Sequence, residues 1–259
     1  MRIVTLKNII SDIAHRYILQ EPSLLKLVEY YDVVIIKHCS PASDVLEDIG
    51  KPDLSLSRKS LENYQAIYRL LRGEFDKHKD TLFIIWTLPP RHRLFEPLCG
   101  DKDKNAARAT EFSKWLKSTF LSEVKNHPNI YIWDFREIVM DPDTNFLKYE
   151  YELEHNTPDS HPNNLANNTT GPQFAEFIVD SIANFYGGSK IVNEARIVFL
   201  HHSVGLNIYN YPDRGVPNWL GKYNDSHGLN HVISHRWYPW DGNMPEHYYR
   251  RWIGHKNLG

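Results

Sequence analysis

Four short runs of consecutive apolar residues, rich in β-branched side chains, recur along the chain. They cover Val33–Ile36, Leu82–Trp86, Ile130–Trp133 and Ile197–Leu200. Every position of each run is apolar. A strand formed by such a run therefore has apolar side chains on both of its faces and is expected to be buried on both. The pattern is therefore typical of strands in a parallel sheet that is covered on its two sides.

Between these runs, apolar residues recur at helical spacing. The clearest stretches predict helices over about residues 58–77, 104–124 and 171–186, and shorter ones over 9–19 and 23–30. Pro172 suits the first turn of a helix that starts at Gly171, where its missing N–H has no partner to lose. Strands that alternate with helices imply βαβ crossovers. We therefore expect an α/β fold with a single doubly wound parallel sheet of about five strands and flanking helices.

Composition narrows the class of protein. With 259 residues, of which 41% are hydrophobic, the chain is long enough to bury one large core. The formal net charge of -2 shows no basic surplus, so we expect no nucleic-acid partner. No apolar run is long enough to span a membrane, and Lys7 and Asn8 interrupt the N-terminal apolar stretch. As the chain stands, these features predict a cytoplasmic protein with no membrane partner.

Polar residues directly after the predicted strands are the first candidates for chemistry, because ligands of open α/β sheets bind beyond the carboxyl ends of the strands. The fourth run is followed by His201-His202-Ser203-Val204-Gly205. A serine on a tight turn between a strand and a helix is how α/β hydrolases present a nucleophile, and a glycine lets the backbone turn sharply. A serine that only caps a helix would give the same pattern.

A second polar block, Asp159-Ser160-His161-Pro162-Asn163, lies between the third run and the last long helix. His161 is a candidate general base toward Ser203. Asp159 is close enough in sequence to hold the imidazole in the tautomer that this role requires. Together the two blocks indicate nucleophilic catalysis by a Ser-His-Asp group.

The loop after the first run supplies candidate donors to a developing oxyanion, namely Lys37, Ser40 and Ser43. Cys39 is an alternative nucleophile because His38 stands beside it. Neighbouring residues of an extended segment point to opposite faces, however, which argues against a Cys-His pair.

A zinc site is the other alternative. His227, His231 and His235 are four residues apart and would share one face of a helix. The stretch Val232-Ile233-Ser234 is typical of a strand instead, and in a strand this spacing does not gather three ligands at one point. We therefore expect no metal at this site.

The sequence resembles the SGNH hydrolase (GDSL-like esterase) superfamily. The resemblance rests on the serine and histidine blocks quoted above and on two further stretches, Tyr31–Ser43 and Trp86–Pro90, the latter followed by Asn105–Ala109. It covers most of the chain. It implies an SGNH, flavodoxin-like α/β fold and a serine esterase that needs neither a metal nor an organic cofactor.

The blocks stand in a different order from the family's, in which the serine block opens the domain and the histidine block closes it. Here residues 191–259 resemble the family's beginning and residues 1–186 its remainder, with 187–190 as the joint. The resemblance thus implies one circularly permuted domain over 1–259. The joint, with Gly187 and Gly188, also fits an ordinary helix C-cap turn or a flexible linker. A permutation predicts that the strand at Ile197–Leu200 lies beside Val33–Ile36, and that Met1 lies near Gly259.

The resemblance also implies roles for single residues. Ser203 would be the nucleophile, His161 the base, and Gly242 a backbone donor to the oxyanion. The family's acid precedes its histidine by three positions, where this chain has Pro158, so a triad with Asp159 and a Ser-His dyad both remain open. The family's oxyanion asparagine is absent from the loop after the first run, where Ser40, Ser43 or Lys37 would replace it.

The expected function is hydrolysis of a small acyl ester, of which acetyl on a carbohydrate is the best substrate guess. The partner is then a small-molecule or carbohydrate ester. A carbohydrate-binding module that retains the scaffold with little or no turnover is the alternative from another class. A sugar O-acyltransferase would use the same residues.

Overall fold

Five parallel strands form the centre of the computed structural model, which describes residues 22–124, 127–187, 191–210, 214–239, 242 and 244–253. The strands are β1 (Val33–Ile36), β2 (Leu82–Trp86), β3 (Ile130–Trp133), β4 (Arg196–His201) and β5 (Val232–Trp237). They make one sheet in the order β3-β2-β1-β4-β5, and every neighbouring pair is parallel. The predicted α/β class with a single parallel sheet of five strands is confirmed.

Helices flank the sheet and connect its strands. In chain order they are α1 (Leu24–Tyr30), α2 (Leu61–Phe75), α3 (Lys102–Ser118), α4 (Phe135–Val139), α5 (Asn164–Tyr186), α6 (Ile191–Glu194), α7 (Val204–Asn210), α8 (Val216–His227) and α9 (Pro245–Trp252). Short 3₁₀ turns cover Ser40–Ser43 and Tyr149–Tyr151. The helix predicted over residues 9–19 lies outside the described residues.

The start of α5 differs from the prediction. The helix begins at Asn164, seven residues before the predicted start at Gly171, and Pro172 lies inside it. The side chain of Asn163 accepts from the N–H groups of Leu165 and Ala166, which caps the earlier start. The first two turns are rich in asparagine and threonine, so their helical spacing was not visible in the apolar pattern.

The apolar runs are buried on both faces of the sheet, as their pattern predicted. In β1, Val34 and Ile36 pack into a cluster with α1, α2, α3 and α9. Val33 and Ile35 pack into a second cluster with α5, α7 and α8 on the opposite face. Because consecutive side chains of a strand serve two different cores, each run has to be apolar at every position.

The neighbour relation predicted for the first and fourth runs is confirmed. Val33 pairs with Ile197 and Ile36 with Leu200, and the N–H of Lys37 donates to the carbonyl of Leu200 at 3.0 Å. The two strands therefore end side by side, at the same edge of the sheet. The proximity expected for Met1 and Gly259 falls outside the described residues, as do residues 188–190 of the joint.

A buried guanidinium ties together three segments near the end of β2. Arg136 is 1% exposed. It donates to the carbonyl oxygens of Leu88, Ala106 and Asn145 and to the hydroxyl of Thr110, over 2.9–3.1 Å. Arginine suits this place because its planar fork carries five donors in fixed directions.

We expect Arg136→Lys to lower the free energy of unfolding by about 2–4 kcal/mol, because a lysine ammonium cannot reach all of these acceptors and each buried acceptor left unpaired costs about 1–3 kcal/mol. Urea unfolding measures the change. Arg196→Lys is the matched control, since its side chain is 59% exposed and, among the described residues, forms an ion pair with Asp32 at the surface. Equal losses in the two variants would contradict the assignment.

Candidate active site

Ser203 occupies a tight turn between β4 and α7. Its backbone has φ +33°, a left-handed conformation that is strained for a residue with a side chain. The carbonyl of Ser203 accepts from the N–H groups of Leu206 at 2.8 Å and Asn207 at 3.3 Å, which starts the helix directly behind the turn. A strained strand-to-helix turn of this kind exposes a nucleophile at the carboxyl edge of a sheet.

The sharp turn of the backbone lies at Ser203. Gly205, where the sequence suggests the turn, is instead required for close packing. A Cβ on Gly205 would lie 2.4 Å from the Cβ of His201, well inside van der Waals contact. Glycine therefore lets the first turn of α7 rest on the last residue of β4. This contact sets the direction in which the helix leaves the turn.

The structure brings Ser203, His161 and Asp159 together although Ser203 and His161 are 42 positions apart. The hydroxyl of Ser203 contacts Nε2 of His161, and Nδ1 of His161 contacts Oδ1 of Asp159. The same Oδ1 accepts from the backbone N–H of His161 at 2.9 Å. A carboxylate only accepts, so Nδ1 donates to Asp159 and the lone pair of Nε2 faces the Ser203 hydroxyl.

The electrostatics favour an ionised Asp159. Partial burial acts against the charge, but hydrogen bonds from the backbone N–H and the ring of His161 outweigh it and lower the pKa of Asp159. At neutral pH the carboxylate is therefore charged. It can hold the imidazole in one tautomer and stabilise the imidazolium that forms when His161 takes a proton.

A buried carboxylate supports the loop that carries His161. The side chain of Glu152 is fully buried, with Nε2 of His92 at 3.1 Å, Nε of Arg93 at 3.0 Å and Nδ1 of His155 at 2.9 Å. The N–H of His92 also donates to the hydroxyl of Ser160, at 3.0 Å. The sequence reasoning missed this network. Its signal was the basic stretch Arg91–Arg93, which directly follows the second predicted strand and its two prolines.

Asn163 fixes the other end of the same loop. Its Nδ2 donates to the carbonyls of Glu150 at 2.8 Å and Glu152 at 3.0 Å, while its Oδ1 caps α5. Every polar atom of the side chain is therefore used. His161 is held between this cap and the Glu152 network.

Two of the three side chains predicted as oxyanion donors in the loop after β1 already donate to a backbone carbonyl, although one such bond leaves two donors on a lysine ammonium. Nζ of Lys37 donates to the carbonyl of His38 at 2.9 Å. The hydroxyl of Ser43 gives its single proton to the carbonyl of Pro89, so this side chain could serve an oxyanion only by releasing that bond. Ser40 differs, since its Oγ accepts from Arg91 at 3.2 Å and keeps its own proton available.

Gly242 does not have the free N–H that its predicted oxyanion role needs. That group donates to the carbonyl of Pro239 at 3.3 Å. Gly242 has φ +152°, and a Cβ there would lie 2.3 Å from the ring of His247, so the position needs glycine for packing. The N–H of Ser203 is the better donor, because no carbonyl of the described residues accepts from it.

The structure separates the two residues of the alternative Cys-His pair. His38 lies in the cluster on the α2 side of the sheet, where its Nε2 is 2.6 Å from the hydroxyl of Tyr68. Cys39 packs against the cluster on the opposite face. The two side chains therefore point away from each other, as the alternation of an extended segment predicted.

The three histidines of the alternative zinc site lie in different surroundings. His227 stacks on Tyr223, and Nδ1 of His231 accepts from the N–H of Ala195 at 3.0 Å. Nδ1 of His235 lies 3.0 Å from Nε2 of His201. Across the described part of the chain, no three histidine, cysteine or carboxylate side chains gather as a metal-binding group.

Comparison of the chain with family models, with curated proteins and with solved structures gives no match. Among the helices that the structure describes, none is long and apolar enough to cross a membrane. The chemistry of the site is therefore derived from its own residues.

Lys37 predicts a pH dependence of stability. Complete burial, which outweighs the opposing attraction of Cys39, lowers the pKa of Lys37 to about 8 from 10.5. Between these two pH values the unfolded chain therefore binds more protons than the folded chain. The buried ammonium destabilises the fold below pH 8, and this penalty disappears as the pH rises to 10.5. We expect the stability of Lys37→Met relative to the natural chain to fall by up to about 3 kcal/mol between pH 8 and 10.5.

Urea unfolding of both proteins across this pH range measures the difference. Lys51→Met removes an exposed lysine and is the control. A difference between Lys37→Met and the natural chain that stays constant with pH would contradict the role of burial.

Asp159→Asn tests whether the carboxylate orients His161. In Asp159→Asn, Oδ1 of the amide can still accept from the backbone N–H of His161, but the imidazole loses its charged partner. The amide also favours the wrong tautomer of the ring. We therefore expect kcat for an activated ester to fall by orders of magnitude. Steady-state kinetics measure the loss, and circular dichroism checks the fold. Asp53→Asn, at a surface turn, is the control. A kcat ratio near one, with Ser203→Ala inactive, would leave a Ser-His dyad.

Proposed function

We propose that the protein is a carboxylic ester hydrolase with Ser203 as nucleophile. The observation that carries the proposal is the continuous hydrogen-bonded path from Asp159 through His161 to Ser203, with the serine on a strained turn at the carboxyl edge of the sheet. This arrangement matches the roles that nucleophilic acyl transfer requires. A serine that served only as a helix cap would not need the histidine and carboxylate behind it.

In the proposed reaction, Oγ of Ser203 attacks the ester carbonyl while Nε2 of His161 takes its proton. The negative oxygen of the tetrahedral intermediate accepts from the N–H of Ser203 and from the hydroxyl of Ser40. Collapse breaks the bond to the alcohol, which leaves with the proton from His161. A water molecule then gives a proton to His161, attacks the acyl-enzyme and releases the acid, returning the proton to Ser203.

We also propose that the chain belongs to the SGNH hydrolase superfamily and that its single domain is circularly permuted and doubly wound. Counted from β4, the sheet order reads 2-1-3-4-5, which is the flavodoxin-like order. The first and last described helices, α1 and α9, pack into the same cluster, and the carbonyl of Pro22 accepts from the hydroxyl of Tyr238. These contacts support a permutation, because they join the first and the last described segments of the chain on one face of the sheet.

The substrate we propose is a small acyl ester, with acetyl on a carbohydrate as the leading case. Trp237, at the end of β5, is 45% exposed and stacks on His202 with the ring centroids 4.3 Å apart. His202 precedes Ser203 directly. The exposed indole beside His202 offers a surface for the apolar face of a sugar ring.

The proposal predicts hydrolysis of p-nitrophenyl acetate that Ser203→Ala reduces by at least about 10³-fold, since the residual activity of such sites comes from the oxyanion hole and binding alone. A fluorophosphonate should label Ser203, as located by peptide mass spectrometry. Ser118→Ala, at the end of α3, is the control and should keep full activity.

Hydrolysis that survives Ser203→Ala, with the label on another residue, would contradict the proposal. An inactive natural chain that still binds acetylated sugars would favour the binding module. Transfer of acetyl to a sugar acceptor in preference to water would favour the acyltransferase.

A further inference from the structure

A cleft of about 330 Å³ lies between the first turns of α5 and α7, beside the proposed catalytic residues. Its walls are formed by Leu153, Pro162, Asn164, Asn167, Leu206, Asn207 and Asn210. Pro162 directly follows His161, and the N–H groups of Leu206 and Asn207 bond to the carbonyl of Ser203. The cleft is therefore lined by the residue that follows His161 and by the helix that follows Ser203.

The chemistry of the walls is uniform. Four of the seven lining side chains are asparagine amides, three are apolar, and none carries a charge. Amides donate and accept, as hydroxyl groups do, whereas an ionised ligand would lack a partner of opposite charge here. Apolar walls complement the C–H face of a ring. The cleft thus fits a neutral group that bears several hydroxyls.

Asn167 carries an unsatisfied acceptor at this cleft. The residue is 3% exposed, and its Oδ1 has no hydrogen-bond partner among the described residues. A buried amide oxygen without a partner costs about 1–3 kcal/mol, so native structures seldom retain one without a reason. Asn163, one turn earlier, uses all of its polar atoms, whereas Oδ1 of Asn168, the next residue along the helix, also has no partner among the described residues.

We propose that the cleft is the subsite for the alcohol part of the ester, a neutral polyhydroxylated group such as a sugar residue, and that Oδ1 of Asn167 accepts from one of its hydroxyls. The proposal rests on the esterase function proposed above. It makes Asn167 a specificity-determining residue, because an ester whose alcohol lacks hydroxyls would leave the amide unpaired.

The test compares two esters of similar shape, 6-O-acetylglucose and cyclohexylmethyl acetate, with p-nitrophenyl acetate as the reference. For the natural chain we expect kcat/KM to favour 6-O-acetylglucose over cyclohexylmethyl acetate by at least tenfold. Asn167→Leu keeps the approximate volume and removes the acceptor. It should abolish this preference by raising KM for 6-O-acetylglucose, which loses the acceptor for its hydroxyl. Asn184→Leu, on the exposed face of the same helix, should leave the preference unchanged.

Equal losses on all three esters in Asn167→Leu would show a structural role and overturn the subsite. No preference in the natural chain would also overturn it. Saturation-transfer NMR with 6-O-acetylglucose and the Ser203→Ala variant separates the subsite proposal from the esterase proposal, since binding of the sugar to this variant does not need catalysis. Binding that is lost when Asn167→Leu is added would support the subsite in the cleft, even if the natural chain hydrolysed none of the esters. A natural chain that hydrolysed none of them would contradict the esterase proposal alone.

Discussion

The parallel pairing of β1 with β4 is the contact on which the site depends. It joins strands more than 150 positions apart in the chain, and their register makes both strands end at the same level. The loop after β1 and the turn after β4 therefore emerge side by side. On either side of this pair the sheet continues in opposite directions, with β2 and β3 on one flank and β5 on the other. In open α/β sheets such a reversal is the usual place of a ligand crevice at the carboxyl edge, and Ser203 follows β4 at this point.

His161 reaches this crevice from the far edge of the sheet. The segment between β3 and α5 crosses the carboxyl ends of the strands, and its backbone is tied down on the way, as where the N–H of Leu147 donates to the carbonyl of Arg91 at 2.8 Å. Nδ1 of His155 donates to Oε2 of the buried Glu152, whereas Oε1 has no hydrogen-bond partner among the described residues, although nitrogens of His92 and Arg93 lie within 3.1 Å of it. His161 is thus positioned by residues outside the group that it forms with Ser203 and Asp159.

The fold was largely readable from sequence because a strand buried on both faces has to be apolar throughout. The start of α5 could not be predicted, because its first turns carry asparagines and threonines, which leave no apolar pattern at helical spacing. The candidate site could be predicted from sequence where the residue type carries the chemistry, as for Ser203 and His161. The hydrogen bonds that Ser43 and Gly242 donate to Pro89 and Pro239 could not be predicted, since hydrogen-bond partners depend on tertiary geometry.

Asp159 precedes His161 by only two positions, and the local geometry still lets its carboxylate meet the imidazole. An acid two positions before the histidine folds its side chain back, so that one oxygen meets both the backbone N–H and the ring of His161. The backbone bond closes a short turn, and this turn aims the carboxylate at Nδ1. The orientation of the imidazole therefore depends on a segment of three residues. Because the Glu152 network and the Asn163 cap hold that segment on its two sides, a shorter spacing still presents Nε2 to Ser203.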